Sequence, residues 1–353
     1  MKTTTIICSM LAMLAMGTFA SGLYIISGGD LRPCYIKYIL QTTEADTQMT
    51  ITPKKVSALS QWYSDYRKFP WSIKCDGTEF KYTPYDCVGL GSGAEGETLT
   101  GGCSNAAPAT MVLKNPGNHV VKIYNIGDNI HMFVLESPYV VAASVDWENI
   151  STASKSPTWS AQNCANLEYI YYANPIGTTG KIAGFNNLPK LKHLEFKHPE
   201  KFTKVDAYQF MNDTALTNSF MFANVTEVGT MSFRYANNVP YMGIPRVQKI
   251  GASAFGKSTG PGLHTLMIGD SLTQFDDGAF HGQSNLDTIE FFTEAVDWVA
   301  AWNNHALLPN LFGTATATEV EGEATLTPLE TKPSTWSAYT DYPRPTHLKL
   351  NRP

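Results

Sequence analysis

Residues able to do chemistry are plentiful in this chain, but their spacing assembles no reaction centre. None of the eight histidines sits in an H-E-x-x-H run or has a second histidine four residues on, the spacing that sets two zinc ligands on one helix face. Gly91-Ser92-Gly93-Ala94-Glu95-Gly96 satisfies G-x-G-x-x-G in letters. A dinucleotide site also needs a strand before that run, a helix opening at it and an acid about 20 residues further on. Here Gly101-Gly102-Cys103 follows, and the stretch reads as a loop. No G-x-S-x-G run is present, and no spacing singles out a carboxylate pair among the 31 acids. The cysteines form no C-x-x-C pair, and no histidine can be argued as the partner of a catalytic thiol. The expectation is a non-enzymatic protein with no catalytic residue, metal site or cofactor.

What recurs instead is aromatic. Phe185, Phe210, Phe233, Phe255 and Phe280 lie 25, 23, 22 and 25 residues apart. An apolar residue follows six positions after most of them, at Leu191, Leu216, Val239 and Leu286. At Leu263 the gap is eight, which marks Ser258-Thr259-Gly260-Pro261-Gly262 as an insertion. A short alternating run comes next, as in Leu194-Glu195-Phe196, Leu266-Met267-Ile268 and Ile289-Glu290-Phe291. A period of roughly 20–29 residues is the mark of a leucine-rich solenoid, in which one coil cannot bury its apolar face without neighbours. The anchor phenylalanines are therefore core, and alternate strand residues face outward. Followed coil by coil, the alternation puts Tyr169, Tyr171, His193, Glu195, Phe220, Tyr241, Met267 and Phe292 on the outer face. Clustered exposed aromatics mark interaction surfaces, and tyrosine is a favoured anchor. A one-residue slip of phase would turn Phe220 inward.

The pattern I-G-x-x-A-F followed by x-L-x-x-I-x-F/I resembles the BspA-like leucine-rich repeats of bacterial surface proteins. The best copies are Ile250 to Ile268 and Phe275 to Phe291. Ala161 stands where an anchor is expected before Leu167-Glu168-Tyr169-Ile170-Tyr171-Tyr172, which gives about six coils over residues 150–292. The resemblance implies a secreted or surface-displayed protein that mediates attachment, with the strand face of the coils as its concave binding side.

The flanks read differently. Lys2 followed by the apolar run Ile6 to Met16 and the small residues Ala15, Gly17 and Ala20 suggests an export signal over residues 1–22. Residues 23–147 read as a β-rich, sandwich-like module, with a helix expected over Pro53 to Tyr66 and a hairpin at Asp76-Gly77. Pro116-Gly117 with Val120-Val121-Lys122-Ile123 resembles the late strands of PKD-like sandwich modules. Removing a leader leaves five cysteines, an odd number, of which Cys75, Cys87 and Cys103 are disulfide candidates in an exported protein. The repeats occupy residues 148–292, and residues 293–353 read as a cap and tail. Glu294 to Leu308 forms the expected cap helix, clustering Val296, Val299, Ala300 and Trp302, and Thr346 to Leu350 could be a strand.

Composition bounds the function. A net charge of −5 and a charged fraction of only 16% argue against nucleic acid as a partner. No apolar stretch is long enough for a transmembrane segment after the leader. The fold expected is mainly β with short helices: a sandwich-like module, a leucine-rich-repeat solenoid and a C-terminal cap. The function expected is adhesion or recognition at the cell surface, with a host or neighbouring-cell protein or glycan as partner. The alternatives are a structural subunit of a surface assembly and an accessory protein of glycan degradation.

Overall fold

The computed structural model describes residues 34–45, 47–51, 72–76, 78–81, 109–113, 115–124, 132–146, 158–162, 164–173, 185–257, 259–331 and 342–352. The expected export signal, the helix over 53–66, the glycine-rich loop, Cys87 and Cys103 lie outside them. Only the strand backbone at Cys75 is described.

The N-terminal strands are β1 (Cys34–Thr42), β2 (Thr47–Ile51), β3 (Ser72–Cys75), β4 (Thr78–Lys81), β5 (Ala109–Leu113) and β6 (Gly117–Tyr124). They lead through β7 (Met132–Glu136), β8 (Val140–Asp146) and β9 (Thr158–Gln162) into β10 (Tyr169–Ala173) and β11 (His193–Phe196). From there, longer and shorter strands alternate. β12 (Lys204–Val205), β14 (Glu227–Val228), β16 (Lys249–Ile250) and β18 (Gln274–Phe275) form one four-stranded parallel sheet. β13 (Phe220–Met221), β15 (Tyr241–Ile244), β17 (Thr265–Gly269) and β19 (Thr288–Phe292) form the parallel side of a second sheet. Two short helices follow, α1 (Trp298–Asn304) and α2 (Leu308–Phe312). The chain closes with β20 (Thr314–Ala317), β21 (Glu323–Thr327) and β22 (His347–Asn351). This is a mainly β solenoid, as the period predicts.

The coil is built around the anchors. Phe185, Phe210, Phe233, Phe255 and Phe280 are all buried and stack ring on ring, with centroids 6.0, 4.7, 5.4 and 4.8 Å apart. Each fully buried phenylalanine contributes roughly 1.5–3 kcal/mol through removal from water, and the parallel stacking adds to it. The backbone at the anchors is satisfied from coil to coil: Phe210 N–H donates to Ser232 O, Phe233 N–H to Ala254 O and Phe255 N–H to Ala279 O, at 2.6, 2.7 and 2.7 Å.

Two left-handed corners flank the stack. Two residues before the anchors, Tyr208, Met231, Ser253 and Gly278 have φ of 62, 56, 52 and 63°. Two residues after, Asn187, Asn212, Tyr235 and Gly282 have φ of 60, 67, 66 and 76°. Only glycine, and to a lesser extent asparagine, takes this conformation without steric cost. The repeat holds tyrosine and methionine there because the packed coil over-determines the corner. After Phe255 the left-handed residues are Gly260 and Gly262, inside the expected insertion, at φ of 76 and 68°. Gly251 answers another demand: a Cβ there would lie 2.6 Å from the Thr230 backbone nitrogen of the preceding coil.

One buried carboxyl sits in this core. Asp213 accepts the Leu188 N–H at 2.8 Å through Oδ1, while Oδ2 has no partner among the described residues. Burial pushes its pKa well above the usual carboxylate value, against the smaller opposing effect of the Leu188 hydrogen bond. A raised folded-state pKa means that the native state holds a proton the unfolded chain has released, so stability falls as pH rises from the ordinary carboxylate range through the folded pKa. Asp213→Asn keeps the acceptor and removes the ionisation. The expected result is a flatter stability-against-pH curve, by up to about 1.4 kcal/mol per pH unit within that window. Denaturant melts from pH 4 to 8 check it, and parallel curves for parent and variant would refute it.

Both ends of the parallel stack are closed by antiparallel strands. At the N-terminal end β8 pairs parallel with β10 and antiparallel with β1, giving a seven-stranded sheet in the order β11-β10-β8-β1-β6-β3-β4. β7 pairs parallel with β9. A single buried cluster runs from Tyr38 and Leu40 on β1 to Leu348 on β22. Of the described strands in the segment expected as a sandwich-like module, β1, β3, β4, β6 and β8 share one sheet with β10 and β11, while β2 and β5 pair as a separate two-stranded sheet. At the C-terminal end β22 pairs parallel with β19 and antiparallel with β21, so the expected strand at Thr346 to Leu350 takes the place of a further coil.

The expected cap helix over 294–308 is instead two helices. Asp297 Oδ1 caps α1 by accepting the Ala300 N–H at 2.9 Å, which leaves Val296 outside the helix and 94% exposed. His305 Nδ1 accepts from Leu307 and Leu308 at 3.1 and 3.2 Å, ending the first helix and starting the second.

Candidate functional site

The strand pairings lay the outward residues in rows. On β10 and β11, Tyr169 lies beside His193 and Tyr171 beside Glu195; in the second sheet one row runs Tyr241, Thr265, Thr288 and His347, and the next Met221, Gly243, Met267, Glu290 and Lys349. Tyr169, Tyr171, His193, Tyr241 and Phe292 are half-buried and Glu195 is exposed. Six of the eight residues expected on the outer face thus retain access to solvent.

Phe220 does not. It is 4% exposed and packs with Phe222 and Phe233 inside the coil. The reason is one extra residue. Leu167, Leu191, Val239, Leu263 and Leu286 each precede the first inward strand residue by three positions, whereas Leu216 precedes Phe220 by four. Asn218 absorbs the surplus by mimicking a strand: its Oδ1 accepts the Leu194 N–H at 2.7 Å and its Nδ2 donates to Leu194 O at 3.0 Å. A bulge of this kind flips the phase downstream. Met221 is then outward and 42% exposed, a residue that the alternation misses.

Met267 is the second correction. It points outward between Leu266 and Ile268 yet is only 5% exposed. Tyr241, on the preceding strand, reaches across β17 and donates its hydroxyl to Glu290 Oε2 on β19 at 3.2 Å. That reach spans the strand that carries Met267. Gly243 beside it has no side chain, and the space a Cβ would take is occupied by Met221 Sδ at 2.6 Å.

Electrostatics fix the polar members. Burial, then the charge and hydrogen bond of Glu290, hold the Tyr241 hydroxyl above its ordinary pKa, so it remains a donor. Glu290 also accepts from Asn351 Nδ2 at 3.2 Å, tying β22 to the face. His193 stacks on Tyr169 with centroids 5.4 Å apart and planes at 21°. Burial, and then Lys192, lower the His193 pKa, so the ring is neutral at physiological pH. Lys192 itself pairs with Glu168 at 2.9 Å. The face is thus a polar-aromatic surface on rigid strands. Among the described residues no group of three histidines, cysteines or acids could hold a metal, and no helix is long and apolar enough to cross a membrane.

Residues 157–261 and 203–297 match the family model of the BspA type leucine rich repeat region, in six copies. This stretch is a BspA-type repeat region. The BspA-type repeats thus cover β9 to β19 and carry all eight expected outer-face residues. Comparison with curated proteins and with solved structures gave no match. The family suggests a surface protein engaged in protein interaction.

Proposed function

We infer that this chain is an exported surface protein for adhesion or recognition, binding a host or neighbouring-cell protein or glycan through the outer face of its repeat sheet. In this reading residues 1–22 direct export, the β-rich segment over 23–147 and the cap over 293–353 flank the repeats, and Cys75, Cys87 and Cys103 supply a disulfide. The observation that carries it is the set of half-buried tyrosines held on strands, Tyr169 and Tyr171 on β10 beside Glu195 on β11, and Tyr241 on β15 bonded to Glu290 on β19. Tyrosine offers large contact area at low conformational-entropy cost and a hydroxyl at its rim. The reading assigns binding, not turnover, to this face.

The test is binding of purified residues 23–353 to arrayed matrix proteins and glycans, beside a Tyr169→Ala/Tyr171→Ala/Tyr241→Ala variant of unchanged melting temperature. Loss of three anchors should weaken capture at least ~100-fold, at more than 1 kcal/mol each. Equal binding by parent and variant, or none by the parent, would remove the face from the account.

A further inference from the structure

A second cluster of side chains lies away from the strand rows, at the corners that flank the phenylalanine stack. Tyr208 and Met231 stand two residues before their anchors and Tyr235 two residues after Phe233, all left-handed, at φ of 62, 56 and 66°. Gly278 and Gly282 meet the same demand in the last coil without steric cost. Strained backbone of this kind clusters at ligand clamps and binding sites. Tyr208 is 45% exposed, and Met231, Arg234 and Tyr235 are half-buried. The corner hydrogen bonds set these residues side by side. Tyr208 N–H donates to the O of Thr230, the residue before Met231, and Arg234 N–H donates to Met231 O, at 3.0 and 3.2 Å.

Arg234 is the centre of the cluster. Its Nη2 donates to the Tyr235 hydroxyl at 2.7 Å, and its Cζ lies 4.7 Å from the Tyr235 ring centroid. Nη1 donates to the Met231 thioether at 3.3 Å, a weak acceptor. Nε is buried and has no partner among the described residues. No carboxylate among those residues pairs with this guanidinium. Asp206 and Glu227 both face Lys204, at 3.8 and 3.2 Å, and Asp213 is buried on the Leu188 N–H.

Arginine, tyrosine and methionine are enriched in the cores of protein interfaces, where lysine and acids are scarce. We propose that this corner docks an acidic segment of a partner protein, one Asp or Glu carboxylate taking N–H groups of Arg234 while an adjoining apolar side chain packs on Tyr208 and Met231. A carboxylate is a far better acceptor for a guanidinium than a thioether is, and it matches the planar fork. One guanidinium also matches the single charge of a carboxylate. The next cation along the corner, Lys257, turns its ammonium to the Gly260 and Pro261 carbonyls at 2.9 and 3.4 Å. Tyr235 holds the fork in place before a partner arrives, which lowers the ordering cost of binding. The site goes beyond the repeat-face reading and shares no residue with it.

The test selects a random peptide library on the immobilised purified chain and measures the selected peptides, resynthesised, in solution. The expected result is enrichment of sequences with Asp or Glu beside Leu, Phe or Tyr. Their affinity should fall about tenfold or more in Arg234→Gln, and less in Arg234→Lys, which keeps the charge without the fork. Tyr208→Asn suits the same backbone angle and removes no buried group, so it reads the site even if Arg234→Gln folds poorly; it should cost several-fold. Lys249→Gln on β16 removes one charge elsewhere and should bind as the parent does. Selected peptides without acids, equal binding by Arg234→Gln, or displacement of the peptides by an equal concentration of inorganic phosphate would overturn the proposal. Self-association of the chain that Arg234→Gln abolishes would overturn it in favour of a second copy. Peptides that bind Arg234→Gln unchanged but are lost in Tyr169→Ala/Tyr171→Ala/Tyr241→Ala would sink this site while supporting the repeat face, so the two readings fail separately.

Discussion

Phe233→Ala is expected to lower stability by about 3–5 kcal/mol, the range for removing a large side chain from a packed core. Phe233 is the middle ring of the five-membered stack, 4.7 Å from Phe210 and 5.4 Å from Phe255, and it also meets Phe220 at 5.7 Å. Truncation leaves a cavity that the coil cannot close, because the corners on both sides are pinned by inter-coil hydrogen bonds from Met231 to Ala252 O and from Tyr235 to Gly256 O. The melting temperature should fall by on the order of 10 °C, at 2–4 °C per kcal/mol. Phe233→Leu keeps most of the apolar volume and loses the two ring stacks, so it should cost less than half as much. Calorimetry of the three proteins decides the matter. A Phe233→Ala melt within 2 °C of the parent would mean that the stack is not what holds adjacent coils together.

That stack is legible in the letters of the sequence because burial in a solenoid is local: the same side chain meets its own image one period away. The left-handed corners are less so. Gly278, Gly282 and Asn212 invite suspicion, but nothing in the letters of Tyr208, Met231 or Tyr235 marks a positive φ, which only the surrounding coil imposes. The outer face is legible where the gap from the apolar residue to the strand is constant. Alternation fails at Phe220, where Asn218 adds one residue, and at Met267, where a tyrosine from the neighbouring strand reaches over it. The cap reads as one helix because its apolar spacing continues through His305, whose ring instead supplies the break.

The open end of a solenoid is where the second large effect is expected. Trp302 is fully buried, meets Phe291 edge-on at 5.3 Å and lies 6.5 Å from Phe312, which in turn meets the last anchor Phe280 at 5.9 Å. Its Nε1 donates to Gly313 O at 2.9 Å, and the adjacent Asn303 brackets the edge strand β20, accepting from Ala315 N and donating to Ala315 O at 2.7 and 2.8 Å. One helical turn thus covers the last rings and blocks a sheet edge that would otherwise template association. Trp302→Ala should cost about 3–5 kcal/mol, and the loss should be polar: amide exchange should rise at Phe275 to Phe292 and β22 while Tyr169 to Leu194 keep their protection. Trp302→Phe keeps the ring contacts but strands the Gly313 carbonyl, an added cost of about 1–3 kcal/mol. Soluble aggregate should accompany the alanine variant as the uncapped rings and the β20 edge become available. Uniform loss of protection along the whole sheet would instead show that the solenoid unfolds as one cooperative block, with Trp302 contributing to the general core rather than closing its end.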